Sequence, residues 1–380
     1  MSDLNIIDIS KTVKTKKKNN FLMKFSAVLC SIAVLGGIGY TVYFVDTHQK
    51  ERLAVQNAAK ELPMPDIPKP VLKLEDYDAN RPVYKNERNF TFNESRLSKR
   101  NYRVLTRSIT ASYSVLYDVS ADEIIFEENS DKKCYPASTT KLLTAIVASK
   151  IITDHQMIIT VGNEIKLIGE ESSSAGLKMG MKLTFETLMD AMMLPSGNDA
   201  AYTMAVTAAR IYRNDPTIPS KEAVEIFVDL MNDAAIQIGA NNSHFVNPDG
   251  WHDKNHYTTA KDLAKISVYA KSIPVIANSC STHYAERKLI KGGMIYWVNT
   301  NIMLNDYYAC YSQYCDGLKT GYTDEAGSCV IASATMDDHT FIAVVMDGQN
   351  GYSKYDDANL MFRHGFKLYD LKYTYGPPKA

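Results

Sequence analysis

The sequence predicts an α+β domain, preceded by a single transmembrane helix. In that domain one antiparallel sheet, built from both ends, flanks an inserted helical lobe. Three observations lead there. Residues 25–45, FSAVLCSIAVLGGIGYTVYFV, carry no charge. Strand-like runs occur at 111–127 and again at 327–346. Between them apolar residues recur at helical spacing, so strands, a helical insertion and further strands share one architecture.

The first element is the apolar run. At about 1.5 Å rise per residue, roughly 20 residues cross a bilayer core, and this run is long enough. Lys11, Lys14, Lys16, Lys17, Lys18 and Lys24 crowd ahead of it, and Asp46 follows. That asymmetry makes residues 1–24 a basic cytoplasmic tail, 25–45 a single-pass anchor in the cell membrane, and the remainder extracytoplasmic. A cleaved signal peptide has a shorter apolar region of about 7–15 residues, with small residues at the cut. Tyr43, Phe44 and Val45 make a poor cleavage site.

Residues 46–104 are polar and punctuated by Pro63, Pro65, Pro68, Pro70 and Pro82, which reads as an extended linker or stalk. The folded domain is expected over 105–380. Residues 111–118, ASYSVLYD, alternate and are β-rich; 120–123 read as a turn and 124–127 as the returning strand. Pro136 introduces a helix over 139–150, with Leu142, Leu143, Ile146 and Val147 at helical spacing. Further helices are expected at 185–194, 199–212, 221–239 and 259–270. The runs 327–334 and 340–346 are continuously apolar and of strand length. Residues 355–368 read as a closing helix with Leu360, Met361 and Phe366 inward.

Composition excludes some functions. With 42 Lys and Arg against 43 Asp and Glu, the net charge of −1 gives no electrostatic case for a nucleic-acid partner. Five cysteines follow the span: Cys134, Cys280, Cys310, Cys315 and Cys329. No CxxC or zinc spacing occurs among them, and no HExxH, so neither a metal site nor a cofactor is expected. Cys310 and Cys315 are close enough to close a small loop; the others read as small buried hydrophobes. His252 and His256 stand four apart, but NPDG at 247–250 just before them argues for loop. Trp297, Tyr307, Tyr308, Tyr311 and Tyr314 could line a cleft or simply pack.

Three short motifs carry chemistry. Ser138-Thr139-Thr140-Lys141 puts a hydroxyl and an amine on one face of a helix start. A serine hydroxyl attacks only when a base removes its proton. A lysine at its reference pKa of about 10.4 is a poor base near neutrality, so burial and a second cation must lower it. Ser196-Gly197-Asn198 lies between helical segments. There Ser196 can relay a proton, and Asn198 can hold a substrate amide by both donor and acceptor. The same residues are also ordinary loop and N-cap chemistry. Lys319-Thr320-Gly321 precedes the final strands. Lys319 can be the second cation and, with Thr320, can bind a terminal carboxylate. Gly321 lets a substrate backbone dock along a strand edge.

Each motif alone is common, but SxxK, SxN and KTG in this order are specific, being close to the signature of penicillin-binding proteins and class A β-lactamases. The context matches as well: YPASTTKLLT at 135–144, MLPSGNDAA at 193–201, and DGLKTGYT at 316–323 with Ala326, Gly327 and Cys329 after it. On these residues the chain resembles the low-molecular-weight penicillin-binding proteins that are serine-type D-Ala-D-Ala carboxypeptidases. NPDG at 247–250, HYTTA at 256–260 and NTN at 299–301 also resemble family segments. The resemblance runs from about Ser108 to the C-terminus and implies a β-lactamase/transpeptidase-like fold.

It further implies roles. Ser138 would be acylated at the penultimate D-Ala carbonyl of a peptidoglycan stem pentapeptide, with Lys141 as base. Ser196 would carry a proton to the leaving amine and Asn198 would orient the substrate. Lys319 and Thr320 would take its carboxylate, beside Gly321. Backbone N–H groups of Ser138 and Tyr322 would form an oxyanion hole, typically worth about 3 kcal/mol. β-Lactams, which mimic D-Ala-D-Ala, would be covalent inhibitors. Two departures stand out. The first hairpin turn lacks the expected glycine, and the chain stops soon after its closing helix, where many members carry a β-rich domain and an amphipathic anchor; against a class A β-lactamase, Gly197 replaces the usual Asp. A β-lactamase is the nearest rival, but no Glu-x-x-x-Asn follows the first motif to activate water. A β-lactam sensor would need a cytoplasmic signalling domain, for which residues 1–24 are too few. Endopeptidase and transpeptidase roles share the acyl-enzyme.

Overall fold

A computed structural model describes residues 82–86 and 88–378. The expected cytoplasmic tail, the 25–45 span and most of the linker lie outside the described residues. Among those described, no helix is long and apolar enough to cross a membrane.

Strand β1 (Thr91–Phe92) and helix α1 (Lys99–Ser108) precede the hairpin β2 (Tyr113–Asp118) and β3 (Glu123–Glu128). Strand β4 (Lys133–Cys134) leads to a 3₁₀ turn, Ala137–Thr140, and helix α2 (Lys141–Ile151). Strands β5 (Ile158–Thr160) and β6 (Lys182–Thr184) pair before α3 (Phe185–Met193), α4 (Asn198–Arg213) and α5 (Ser220–Ile238). Strand β7 (Thr258–Thr259) pairs with β4 and opens α6 (Ala260–Lys271), α7 (Pro274–Ser281) and the hairpin β8 (Tyr284–Lys288) and β9 (Met294–Val298). The chain returns through β10 (Cys315–Thr323), β11 (Gly327–Met336), β12 (His339–Gly348) and α8 (Ser353–Phe366).

The expected sheet from both chain ends is present. Its order is β1-β3-β2-β12-β11-β10, antiparallel except for the β1–β3 pair. β12 joins the halves, with Val344 opposite Val115 and Ile342 opposite Tyr117. The central strands are apolar throughout because both faces are covered. Val115, Tyr117, Ile331, Ile342 and Val344 face the helical lobe. Leu116, Phe126, Val330, Phe341 and Val345 face the opposite way, onto Leu105 of α1 and Phe362 and Phe366 of α8. Helix limits follow from local chemistry: Thr259 caps α6 by accepting from Asp262 N, Pro274 stands at the start of α7, and Gly239 (φ 90°) ends α5.

Two expectations need correction. The linker was expected to run to residue 104, yet its described part is folded onto the domain. The Tyr84 N–H donates to Gln237 Oε1 (2.9 Å), and Phe90 stacks on Tyr117 with ring centroids 4.6 Å apart. β1 pairs with β3, and Ser98 caps α1 by accepting from Asn101 N. The expected boundary at 105 therefore falls inside α1. That helix, KRNYRVLTRS, buries only Leu105, too sparse an apolar stripe to show as a period. Second, Lys319-Thr320-Gly321 lies within edge strand β10, not ahead of the strands. Gly317 and Gly321 dilute its β signal. The cysteines after the span are all free thiols, Cys310 and Cys315 included.

Candidate active site

Ser138 sits in the 3₁₀ turn, and α2 starts at Lys141 itself. The turn is clamped from two sides. A Cβ on Gly250 (φ 85°) would overlap the Ala137 carbonyl, and one on Gly321 would lie 3.1 Å from Ser138 N. Both positions therefore need glycine, Gly250 for its conformation as well. From below, His256 holds the turn: its Nε2 lies 2.8 Å from Thr140 Oγ1, while its Nδ1 accepts from Val246 N. An accepting Nδ1 leaves the proton on Nε2, so this is a neutral imidazole. Burial pushes its pKa down to about 3, in agreement.

Lys141 Nζ lies 2.8 Å from Ser138 Oγ, 2.7 Å from Asn198 Oδ1 and 2.7 Å from Asp249 O. The last two atoms can only accept. A neutral amine has two N–H groups and one lone pair. With both N–H groups spent on Asn198 and Asp249, the lone pair is left for the Ser138 hydroxyl. Lys141 is fully buried, and burial lowers its pKa to about 8, against the opposing pull of Asp249 and Asp199. Lys319 is driven well below the ordinary lysine range, first by burial and then by repulsion from Lys141. The expectation that Lys319 supplies the charge depressing Lys141 is thus corrected. Burial depresses Lys141, and the coupling is felt on Lys319.

Gly197 caps α4, and Asn198 and Asp199 form its first turn. Ser196 just ahead has φ 64°, a left-handed conformation rare for a residue with a Cβ. Its Oγ is sealed from solvent and makes no hydrogen bond, although the residue lines the cleft. The Asp199 carboxylate accepts from Ser174 Oγ, Ala175 N, Leu177 N and Ala200 N. Trp297 Nε1 donates to Ala175 O (2.9 Å). Together they pin the loop ahead of β6 to the cleft wall. Trp297 is structural; none of the aromatic patch lines the cleft.

A cleft of about 790 Å³ brings together Ser138, Ser196, Asn198, Thr320, Gly321 and Tyr322. Lys141 and Lys319 lie buried behind it. The Thr320 and Thr300 hydroxyls are 2.6 Å apart, and Lys319 Nζ donates to Thr320 O. Every sequence-derived site residue is therefore at or against one cleft. Among the described residues, no group of three His, Cys, Asp or Glu is placed to hold a metal ion.

The family model for D-alanyl-D-alanine carboxypeptidase matches residues 99–350, more than half of the chain. The chain belongs to the D-alanyl-D-alanine carboxypeptidase family. D-alanyl-D-alanine carboxypeptidase DacA of Escherichia coli K12 is 31% identical over 271 residues, which are 69% of this chain and 62% of that one. This chain thus spans about three fifths of that relative. Among solved structures, the Streptomyces K15 DD-transpeptidase superposes with a TM-score of 0.62 at 27% identity, covering 68% of this chain and 98% of that one. Penicillin-binding protein D2 from Listeria monocytogenes in its ampicillin-bound form gives 0.55 at 25%, with the same coverage.

For this member of the D-alanyl-D-alanine carboxypeptidase family, the sequence reading left out three contributors. Asp249, in the 247–250 segment, supplies a carbonyl to Lys141. A backbone acceptor leaves no side-chain signal. Thr300 meets Thr320, with only the NTN segment at 299–301 to hint at it. Lys354, at the start of α8, is 7% exposed, lines the cleft, and among the described residues pairs with no carboxylate. It carries no motif, and only the return of α8 beneath β11 brings it there.

Proposed function

We propose that this protein is a serine D-Ala-D-Ala carboxypeptidase acting on peptidoglycan stem pentapeptides. Residues 25–45 would hold it in the cell membrane, with 1–24 cytoplasmic and the catalytic domain outside. The stalk then ends near residue 82, and the domain begins there instead of at 105. The observation that carries the activity is the Lys141 Nζ–Ser138 Oγ distance of 2.8 Å, around a lysine whose pKa burial lowers to about 8, so that the neutral base is a minor but accessible form at neutral pH.

Ser138 Oγ attacks the penultimate D-Ala carbonyl carbon while Lys141 Nζ takes the hydroxyl proton. The oxyanion meets the N–H groups of Ser138 and Tyr322. As the C–N bond breaks, Ser196 passes a proton to the departing D-Ala amine. Water then cleaves the Ser138 ester and restores the hydroxyl. Asn198 serves mainly to hold Lys141 through Oδ1, leaving its amide N–H₂ for the substrate. Lys319, Thr320 and Lys354 form the positive end that receives the terminal carboxylate, whose charge would restore the proton on Lys319. A β-lactam opens by the same attack, but its leaving nitrogen stays tethered, so the acyl-enzyme persists.

The test is release of free D-Ala from a peptide ending in D-Ala-D-Ala by the full chain. Release that stops in Ser138→Ala is expected, as is sedimentation with membranes that is lost without residues 1–45. Release surviving in Ser138→Ala would refute the mechanism. Stable penicillin labelling without release would favour a sensor.

A further inference from the structure

The two ends of the cleft differ in chemistry: buried amines stand at one and exposed carboxylates at the other. Lys319 and Lys354 lie buried at the inner end. Of the charged side chains lining the cleft, four exposed ones are acidic: Glu170 and Glu171 on one wall, Asp324 and Glu325 on the other. Among the described residues none of the four forms an ion pair with a lysine or arginine, and His252 Nδ1 lies 3.6 Å from the Glu325 carboxylate. Both walls are firmly built. Asn198 N donates to Ser173 O, Asp199 ties down 174–177, and the Trp251 ring lies against Gly169, so Glu170 and Glu171 sit on an anchored loop. Opposite, the β10–β11 turn is closed by Ala326 N donating to Thr323 Oγ1, and Tyr322 Oη donates to Asp324. A second observation marks the space between as a ligand site. Ser196 is 5% exposed and lines this cleft, and its Oγ, sealed from solvent, has no hydrogen-bond partner among the described residues.

β10 gives the direction. It runs from Lys319 and Thr320, past Gly321 against Ser138, to Tyr322 and then to Asp324 and Glu325. A peptide lying along this edge with its terminal carboxylate at Lys319 carries its upstream residues toward the acidic rim. Resting on the carboxypeptidase reading, we propose that the rim selects stem peptides bearing a free side-chain ammonium upstream of the D-Ala pair. Peptides whose side-chain amine is acylated, as in a cross-linked stem, lose that attraction and leave the rim carboxylates unpaired.

The test compares two peptides ending in D-Ala-D-Ala, identical but for a lysine with a free or an acetylated side-chain amine, on the full chain. Expected is a kcat/KM roughly fivefold higher for the free amine, the scale of exposed charge pairs, shrinking at high salt. In the variant Glu170→Gln, Glu171→Gln, Asp324→Asn, Glu325→Gln the ratio falls toward one, its melting temperature serving as the check on folding. Equal use of both peptides by the wild type, or a preference the variant retains, overturns the proposal. Equilibrium binding of both peptides to Ser138→Ala separates the two claims. Preferential binding without any D-Ala release by the wild type sinks the activity and keeps the rim; equal binding with release does the reverse.

Discussion

At the residue scale the site is defined by atoms denied their usual partners. Lys141 is held among two obligate acceptors and one hydroxyl, with no carboxylate against its amine. Ser196 combines a left-handed backbone with an orphaned buried hydroxyl, and strain of this kind costs about 1–3 kcal/mol. Both Ser196→Ala and Ser196→Gly remove the orphan, but only glycine also removes the strain. Thermal unfolding should rank Gly above Ala above wild type, with glycine about 1 kcal/mol ahead of alanine, while D-Ala release falls about 100-fold in both. A wild type more stable than both would contradict the strain. His256 sets a pH limit. Its folded pKa of about 3 lies below the unfolded value of about 6.5, so its stabilisation is full above pH 6.5. Below that the unfolded chain binds the proton first, and stability drains away toward pH 3. Denaturant titrations from pH 7 to 5 should show this slope in wild type and a shallower one in His256→Gln, which should also lose about 1–2 kcal/mol at pH 7.5.

At the scale of elements, legibility followed the density of signal. The strands at 327–334 and 340–346 were plain because continuous apolar runs are what a sheet covered on both faces demands. The helices of the lobe carried their period in Leu142, Leu143, Ile146 and their like. β10 was obscured by the glycines that its edge position and its contact with Ser138 require. The hairpin β8–β9 and helix α7 gave too short or too mixed a pattern to be read. Segment 82–104 misled because proline and charge suggested a spacer, while its few apolar residues each find a slot: Tyr84, Phe90 and Leu97 are all nearly buried. Each such side chain contributes about 1.5–3 kcal/mol. Arg96 adds hydrogen bonds to Asp118, Glu123 and Tyr369. A chain starting at residue 82 should therefore melt cooperatively, whereas one starting at 105 should melt at least about 10 °C lower or fail to remain soluble. Equal melting of the two would show that the segment is a passenger.

At the scale of the whole molecule, three motifs far apart in sequence meet because the sheet is closed by both chain ends. The chain leaves the sheet after β3 and reaches the 3₁₀ turn through the short β4, α4 brings Asn198 from the lobe, and β10 supplies the opposing edge. Sequence order showed that Ser138, Asn198 and Lys319 belong together. It did not show that Asn198 would spend its oxygen on Lys141, nor that Lys354 would complete the positive end, because both follow from packing of distant elements. Burial of Lys141 between lobe and sheet is the property on which the chemistry depends. The most direct measurement is the rate of Ser138 acylation by a penicillin from pH 6 to 10, read by mass of the intact protein. A rate that climbs with pH through a midpoint near 8, and vanishes in Ser138→Ala, is expected for a lysine base depressed by burial. A rate that does not change with pH, or that rises only near the ordinary lysine value of about 10.4, would contradict it.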